Sequence, residues 1–184
     1  MDNRERARQS KTTWVLGALE QVKTAGIESV KIVPLAKQLK VTSGSFYWHY
    51  KNRRELHEAI LKYWEIEMTD VAIVRARSFT DDPKQRIWKL MEQVMETGLA
   101  DYDLAIWHWA QSDRGAMKVF RRAIEKRFRF AKWMFEQAGF SEAEAESRGR
   151  LMVVYMMGES TLVPDVHKKR RKLLKQKFRI LTNS

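Results

Sequence analysis

Most side chains able to do chemistry in this 184-residue chain are scattered, and one group is not. The histidines stand at 49, 57, 108 and 167, with no metal-ligand spacing and no HExxH pattern. There is no cysteine, hence neither a disulfide nor a thiolate site. No glycine-rich phosphate loop and no GxSxG elbow occurs. An enzyme is therefore not expected, nor a metal or other cofactor. The exception is "VTSGSFYWHYKNRRELHEAI", residues 41–60, in which Phe46, Tyr47, Trp48, His49 and Tyr50 run directly into Lys51, Arg53 and Arg54. Consecutive rings cannot all face one core. Some must point outward, beside the cations.

Those side chains suit a polyanion. A short apolar pattern, Leu35, Ala36 and Leu39, opened by Pro34, precedes the Thr/Ser/Gly turn. Two short helices joined in this way make a helix-turn-helix, whose second helix enters the major groove of DNA. Thr42 is predicted to cap that helix. Small residues, Gly44 among them, allow close backbone approach, and the hydroxyls of Ser43 and Ser45 can bond bases or phosphates. Tyr47, His49, Lys51 and Arg53 are donors placed to reach the phosphate backbone.

The elements that must position this stretch read as helices throughout. Val15, Leu16, Ala18, Leu19 and Val22 mark one face of a first helix, closed by Gly26. Asn52 and Glu55 form a start signal, after which Leu56, Ala59, Ile60, Tyr63 and Trp64 keep helical spacing. "RARSFTDDP" reads as a loop closing the head. Asp82 and Pro83 then open a helix with Ile87, Leu90, Met91, Val94 and Gly98 on one face. Asp101 is expected to cap a short helix, and 114–138 forms a long one ended by Gly139. "SEAE", 141–144, opens another, running to about Leu162, and Asp165 opens the last. The expectation is all-α, about nine helices, without repeats.

Bulk composition agrees. The chain is 44% hydrophobic with 8 Gly and 3 Pro, a globular and helical balance. Neither its charged N-terminus nor its longest apolar run, "LMVVYMM", reads as a signal or a membrane span. A cytoplasmic protein is expected, with no membrane partner. The net charge of +12 favours a polyanion, nucleic acid before an anionic membrane surface.

Residues 10 to 65 resemble the DNA-binding head of the tetracycline-repressor (TetR) family of bacterial transcription regulators. Ala36, Leu39, Val41, Gly44, Tyr47, His49 and Leu56 carry the resemblance, and "YWH" before a basic link is its most specific part. It implies that Tyr47 and His49 hold the phosphate backbone and that Arg53 replaces a phosphate-contacting lysine. Ser43, Ser45 and Trp48 fall on sequence-reading positions, and Phe46 points inward as the anchor. Two positions depart from the pattern. Lys40 stands where a glycine commonly ends the support helix, and Pro34 replaces a polar residue. The resemblance further implies a domain boundary near 66/67: a helix-turn-helix domain over 1–66, and an effector-binding and dimerisation domain over 67–184. A homodimer reading a palindromic double-stranded DNA operator under control of a small-molecule effector is the implied function, with repression favoured over activation.

For the effector, Met91, Met95, Trp107, His108, Met134 and Tyr155 supply soft and aromatic material, although ordinary core uses the same residues. For the dimer, Met152, Tyr155, Met156, Leu173, Leu174 and Phe178 lie on the apolar stripes of the last two helices. The run "HKKRRKLLKQKFR" carries eight cations between Lys168 and Arg179, and Arg121, Arg122, Lys126, Arg127 and Arg129 form a second cluster. Each is either an anion-binding surface or a solvated helix face. The rival to a regulator is a basic helical scaffold that binds RNA or anionic membrane by charge alone.

Overall fold

The computed structural model describes residues 3–162 and 170–183, with side chains over 11–159 and 171–183. The described residues form ten α-helices and no strand: α1 (Asn3–Ala25), α2 (Ile32–Gln38), α3 (Ser43–Phe46), α4 (Arg53–Glu65), α5 (Val71–Arg77), α6 (Pro83–Thr97), α7 (Leu99–Ala110), α8 (Arg114–Gln137), α9 (Glu142–Leu162) and α10 (Arg170–Thr182). A 3-10 turn, Ile27–Ser29, follows α1, and a π-turn, Ile66–Asp70, joins α4 to α5.

The additional helix is α5. Residues 71–77 continue helically past Trp64, so the loop spans only 78–82. Val71, Ala72 and Ile73 lead α5 and Ala76 is buried on it, which lets the helix absorb the first part of "RARSFTDDP". Several starts follow the expected chemistry. Asp82 accepts a hydrogen bond from the Gln85 amide at 3.0 Å, Pro83 sits in the first turn, and Gly98 closes α6 at φ 63°. Asp113 caps α8 through the Ala116 amide at 2.8 Å. Glu144 accepts bonds from the Ser141 amide and hydroxyl, which together lower its pKa. Asp101 lies within the first turn of α7 instead of capping it. Asp165 falls outside the described residues.

The chain divides into two compact units. One comprises residues 1–66 with 105–120, the other 67–104 with 121–184. In the first, Trp14, Ala18, Leu19, Leu35, Phe46, Leu56, Ile60 and Trp64 are buried, and the Trp64 ring stacks on Phe120 at 5.8 Å. In the second, Ile87 and Met91 of α6 pack with Met134 and Phe135 of α8, Met152 of α9 and Leu174 of α10. Here α8 and α9 approach closely at Gly149, where an added Cβ would lie 2.8 Å from the Lys132 backbone nitrogen.

Candidate functional site

The recognition element begins at Thr42, whose hydroxyl oxygen accepts a hydrogen bond from the Ser45 amide at 3.3 Å. The Ser45 hydroxyl donates back to the Thr42 carbonyl at 2.7 Å. Helix α3 is short, but backbone bonds from His49 and Tyr50 to the Phe46 carbonyl carry its turn onward to residue 50. Ahead of it, the Val41 amide bonds the Ala36 carbonyl and Lys40 takes φ 56°. Lys40 is the one described non-glycine residue with positive φ, at the position where the resemblance placed a glycine. Holding an L-residue there costs roughly 1 kcal/mol.

The five rings divide by burial. Phe46 is wholly buried, with its ring edge-on to Trp14 at 5.3 Å and tilted against Tyr50 at 5.5 Å. Tyr50 is buried too. Its hydroxyl donates to the Lys11 carbonyl at 3.0 Å, and burial, with Glu55 adding to it, pushes its pKa up to about 12. Sequence reading left Tyr50 unassigned; the structure makes it the second inward anchor of the element. Tyr47 and Trp48 point outward, 62% and 88% exposed. His49 is half-buried, and its pKa is lowered by burial first and Lys11 second.

The basic link is fastened by a cap. The Asn52 side chain accepts from the Glu55 amide at 3.0 Å, and the Glu55 carboxylate accepts from the Lys51 amide at 2.7 Å. Arg53 lies 3.7 Å from Glu28, a solvent-exposed pair that a phosphate would displace at little cost. Thr42, Ser43, Gly44, Tyr47, Trp48, Lys51 and Arg53 are all exposed, and Ser45 is intermediate. Hydroxyls, rings and cations thus form one outward strip, pinned from behind by Phe46 and Tyr50.

The residues named for an effector separate. Met91 and Met134 line a cavity of about 90 Å³ in the second unit. Met95 is buried in that unit's core, and Tyr155 lies under the Lys177 ammonium, 4.3 Å from its ring centre. Trp107 and His108 are exposed on α7 within the other unit, while Trp109 is the residue of that trio turned inward, edge-on to His57. Helical phase explains this: neighbours on α7 differ by about 100°. Sequence reading missed Asp103 and Thr69, which meet Arg127 at the cavity wall. Their signal was faint, because a lone Asp on an apolar helix and one Arg in a basic cluster look alike whether buried or solvated.

The residues named for a dimer also divide. Met152, Met156 and Leu174 face the protomer's own core, and the Phe178 ring lies edge-on to Trp88. Leu173 and Tyr155 are intermediate. Among the described residues of these helices, Leu151, Val154 and Ile180 are the apolar ones that are each more than 60% exposed. The basic run is partly neutralised where it is described: Arg171 pairs with Glu92 at 2.7 Å and Lys177 with Glu159 at 3.0 Å. In the second cluster Lys126 pairs with Asp70 and Arg127 with Asp103. No described helix is long and apolar enough to cross a membrane.

Residues 16–60 match the family model "Bacterial regulatory proteins, tetR family". The HTH-type transcriptional regulator AcrR of Shigella flexneri is 25% identical over 84 residues, which is 46% of this chain and 39% of that protein's own length. A TetR transcriptional regulator from Legionella pneumophila superposes with a TM-score of 0.75 at 12% identity, covering 92% of this chain and 93% of that one. BioQ, solved with its natural double-stranded DNA operator, gives a TM-score of 0.51 at 24% identity over 94% and 97% of the two chains. At these identities the structural likeness is one of fold: all helices, with the helix-turn-helix at the N-terminus.

Proposed function

We propose that this chain, a tetR-family transcriptional regulator, acts as a ligand-responsive repressor that binds a palindromic operator as a homodimer. The observation that carries the reading is the outward strip from Thr42 to Arg53, with Tyr47 and Trp48 exposed directly beside the buried Phe46. A soluble surface rarely spends a tryptophan in this way without a partner. The match at residues 16–60 and the operator-bound structural relative support duplex DNA as that partner.

In this reading Tyr47, His49, Lys51 and Arg53 grip phosphates, while Ser43, Ser45 and Trp48 meet base edges. Gly44 lets the backbone approach. Two protomers would present their recognition elements about one DNA turn apart, roughly 34–36 Å. Among the described residues of the last two helices, the exposed Leu151, Val154 and Ile180, with the partly exposed Tyr155, Leu173 and Phe178, could pair protomers. Residues 1–66 serve as the DNA-binding domain and 67–184 as the effector and dimer domain. An effector in the Met91–Met134 cavity would favour a conformer that no longer fits two successive grooves, and it must bind the two conformers unequally to do so. Neither catalysis nor a cofactor enters this scheme, and its natural setting is the cytoplasm.

The test is selection from random duplex DNA at near-physiological salt, run beside Tyr47→Ala. Enrichment of one two-fold-symmetric site by the wild type alone is expected. Recovery of the same DNA by both proteins would mean that the +12 charge does the binding, and would favour the basic scaffold.

A further inference from the structure

The cavity of the second unit has an unusual wall. Six of the chain's nine methionines line it: Met68, Met91, Met134, Met152, Met156 and Met157. Four of its described lining residues are polar, namely Thr69, Gln93, Asp103 and Arg127, and only the last two are charged. Those two are spent on each other. Arg127 Nη1 donates to Asp103 Oδ2 at 2.5 Å, and the side chains are 16% and 6% exposed. The other two guanidinium nitrogens also have protein acceptors, Nε donating to Thr69 Oγ1 at 3.1 Å and Nη2 to the Met68 carbonyl at 3.2 Å. The wall therefore carries no net charge, and its cation already has protein acceptors.

We infer that this cavity takes an uncharged lipophilic molecule with at most one hydroxyl or carbonyl, and rejects carboxylates and ammonium ions of the same skeleton. The inference rests on the reading above, in which the second unit holds an effector, and it names the class of that effector. A carboxylate entering beside the pair would add a buried negative charge next to Asp103, and an ammonium a positive one next to Arg127. Either leaves one charge uncompensated where water is scarce. A hydroxyl needs only a neutral partner, which Thr69 or Gln93 can be. Shape is treated more leniently than charge. The volume of about 90 Å³ is below the roughly 150 Å³ that admits benzene in an engineered apolar cavity, so a ligand of that size must displace side chains. Unbranched thioethers yield readily, and a wall of six of them adapts to ligands of different outline.

The test uses the full chain labelled with 13C at its methionine methyls, titrated at pH 7 with hexan-1-ol, hexanoate and hexylammonium. Saturable shifts of the cavity methionines, assigned through Met134→Leu and Met152→Leu, are expected with hexan-1-ol. Hexanoate and hexylammonium should bind roughly tenfold more weakly or worse. Asp103→Asn keeps the side-chain size but leaves Arg127 without its anion, so the order should reverse and hexanoate should bind more tightly than hexan-1-ol. Hexanoate matching hexan-1-ol in the wild type overturns the inference, as do methionine methyls unmoved by all three probes. If Asp103→Asn does not fold, the wild-type ratio alone decides. Binding of the selected operator is measured on the same samples. Its absence beside a normal methionine titration sinks the regulator reading and leaves the ligand class standing.

Discussion

In the recognition element Tyr47 and Trp48 stand 62% and 88% exposed beside a fully buried Phe46, whereas around the cavity Met91 and Met134 are fully buried and their polar neighbours face each other. The head holds a few residues rigidly from behind so that others can be presented outward. Its anchors are strict: a T-shaped contact of Phe46 with Trp14, and a hydroxyl bond from Tyr50 to Lys11. The second unit instead surrounds a space with flexible thioethers and one neutralised ion pair. In the proposed reading, contact with duplex DNA calls for fixed geometry, and accommodating a small molecule calls for a wall that yields. The two regions use apolar side chains for opposite mechanical ends.

The contrast is sharpest between adjacent positions 46 and 47. Phe46→Ala should cost about 3–5 kcal/mol of stability, read by chemical denaturation, because a wholly buried ring leaves a cavity. Tyr47→Ala should leave the denaturation curve unchanged and weaken operator binding by about a hundredfold or more, since the proposed symmetric dimer would lose the contact twice. Equal effects of the two substitutions on stability would erase the division between anchor and reader.

Rigidity can be probed in the second unit as well. Gly149→Ala places a Cβ 2.8 Å from backbone that cannot step aside, so α8 and α9 must separate. A loss of about 1–3 kcal/mol is expected in thermal unfolding. A neutral result would show that this unit yields at its helix crossing as well as at its cavity. Lys40→Gly should act in the other direction. Relieving the left-handed lysine at φ 56° should raise the stability of the head by roughly 1 kcal/mol, measured by denaturant midpoint.

The smallest effect expected is one of pH. Burial, and then the charge of Arg53, lower the pKa of His57 below its ordinary value of 6.5, against the opposing pull of Glu28 and Asp113. The fold thus favours the neutral imidazole, whose Nε2 is buried without a hydrogen-bond partner. Its contribution is fully present above pH 6.5 and is lost as pH falls through the lowered folded value. His49 titrates in the same sense. Melting temperature should fall on acidification from pH 7 towards 5, and His57→Gln should flatten that fall while His49→Gln flattens it less. An unchanged slope in His57→Gln would return the whole effect to other groups.

Much of the local structure was legible because it depends on neighbours in the chain. Thr42, Asn52, Asp82 and Ser141 signal helix starts through bonds to residues three positions on, and Gly26 and Gly139 signal ends through conformations few other residues adopt. Gly98, by contrast, reads as part of an apolar face and closes α6 only in the structure. The outward strip was legible for a similar reason, since consecutive residues on a helical turn differ by about 100° and cannot all face one core. The continuation of α4 through a π-turn into α5 was not, because the polar run after Ala76 resembles a loop and the burial of Ala76 depends on helices distant in sequence.

By itself, then, the sequence determined an all-helical chain, its N-terminal helix-turn-helix and the cluster of Tyr47, Trp48, His49, Lys51 and Arg53. These follow from spacing, capping and residue chemistry over short ranges. Only the tertiary structure decided which faces turn inward. It put Trp109 rather than His108 in the core, Met152 and Met156 inside with Leu151 and Val154 outside, and Arg127 against Asp103 and Thr69. The stretch 151–157 of α9 is apolar in every direction, so its sequence contains no preferred face. The choice belongs to the helices packed against it, whose positions are set by contacts among residues far apart in the chain.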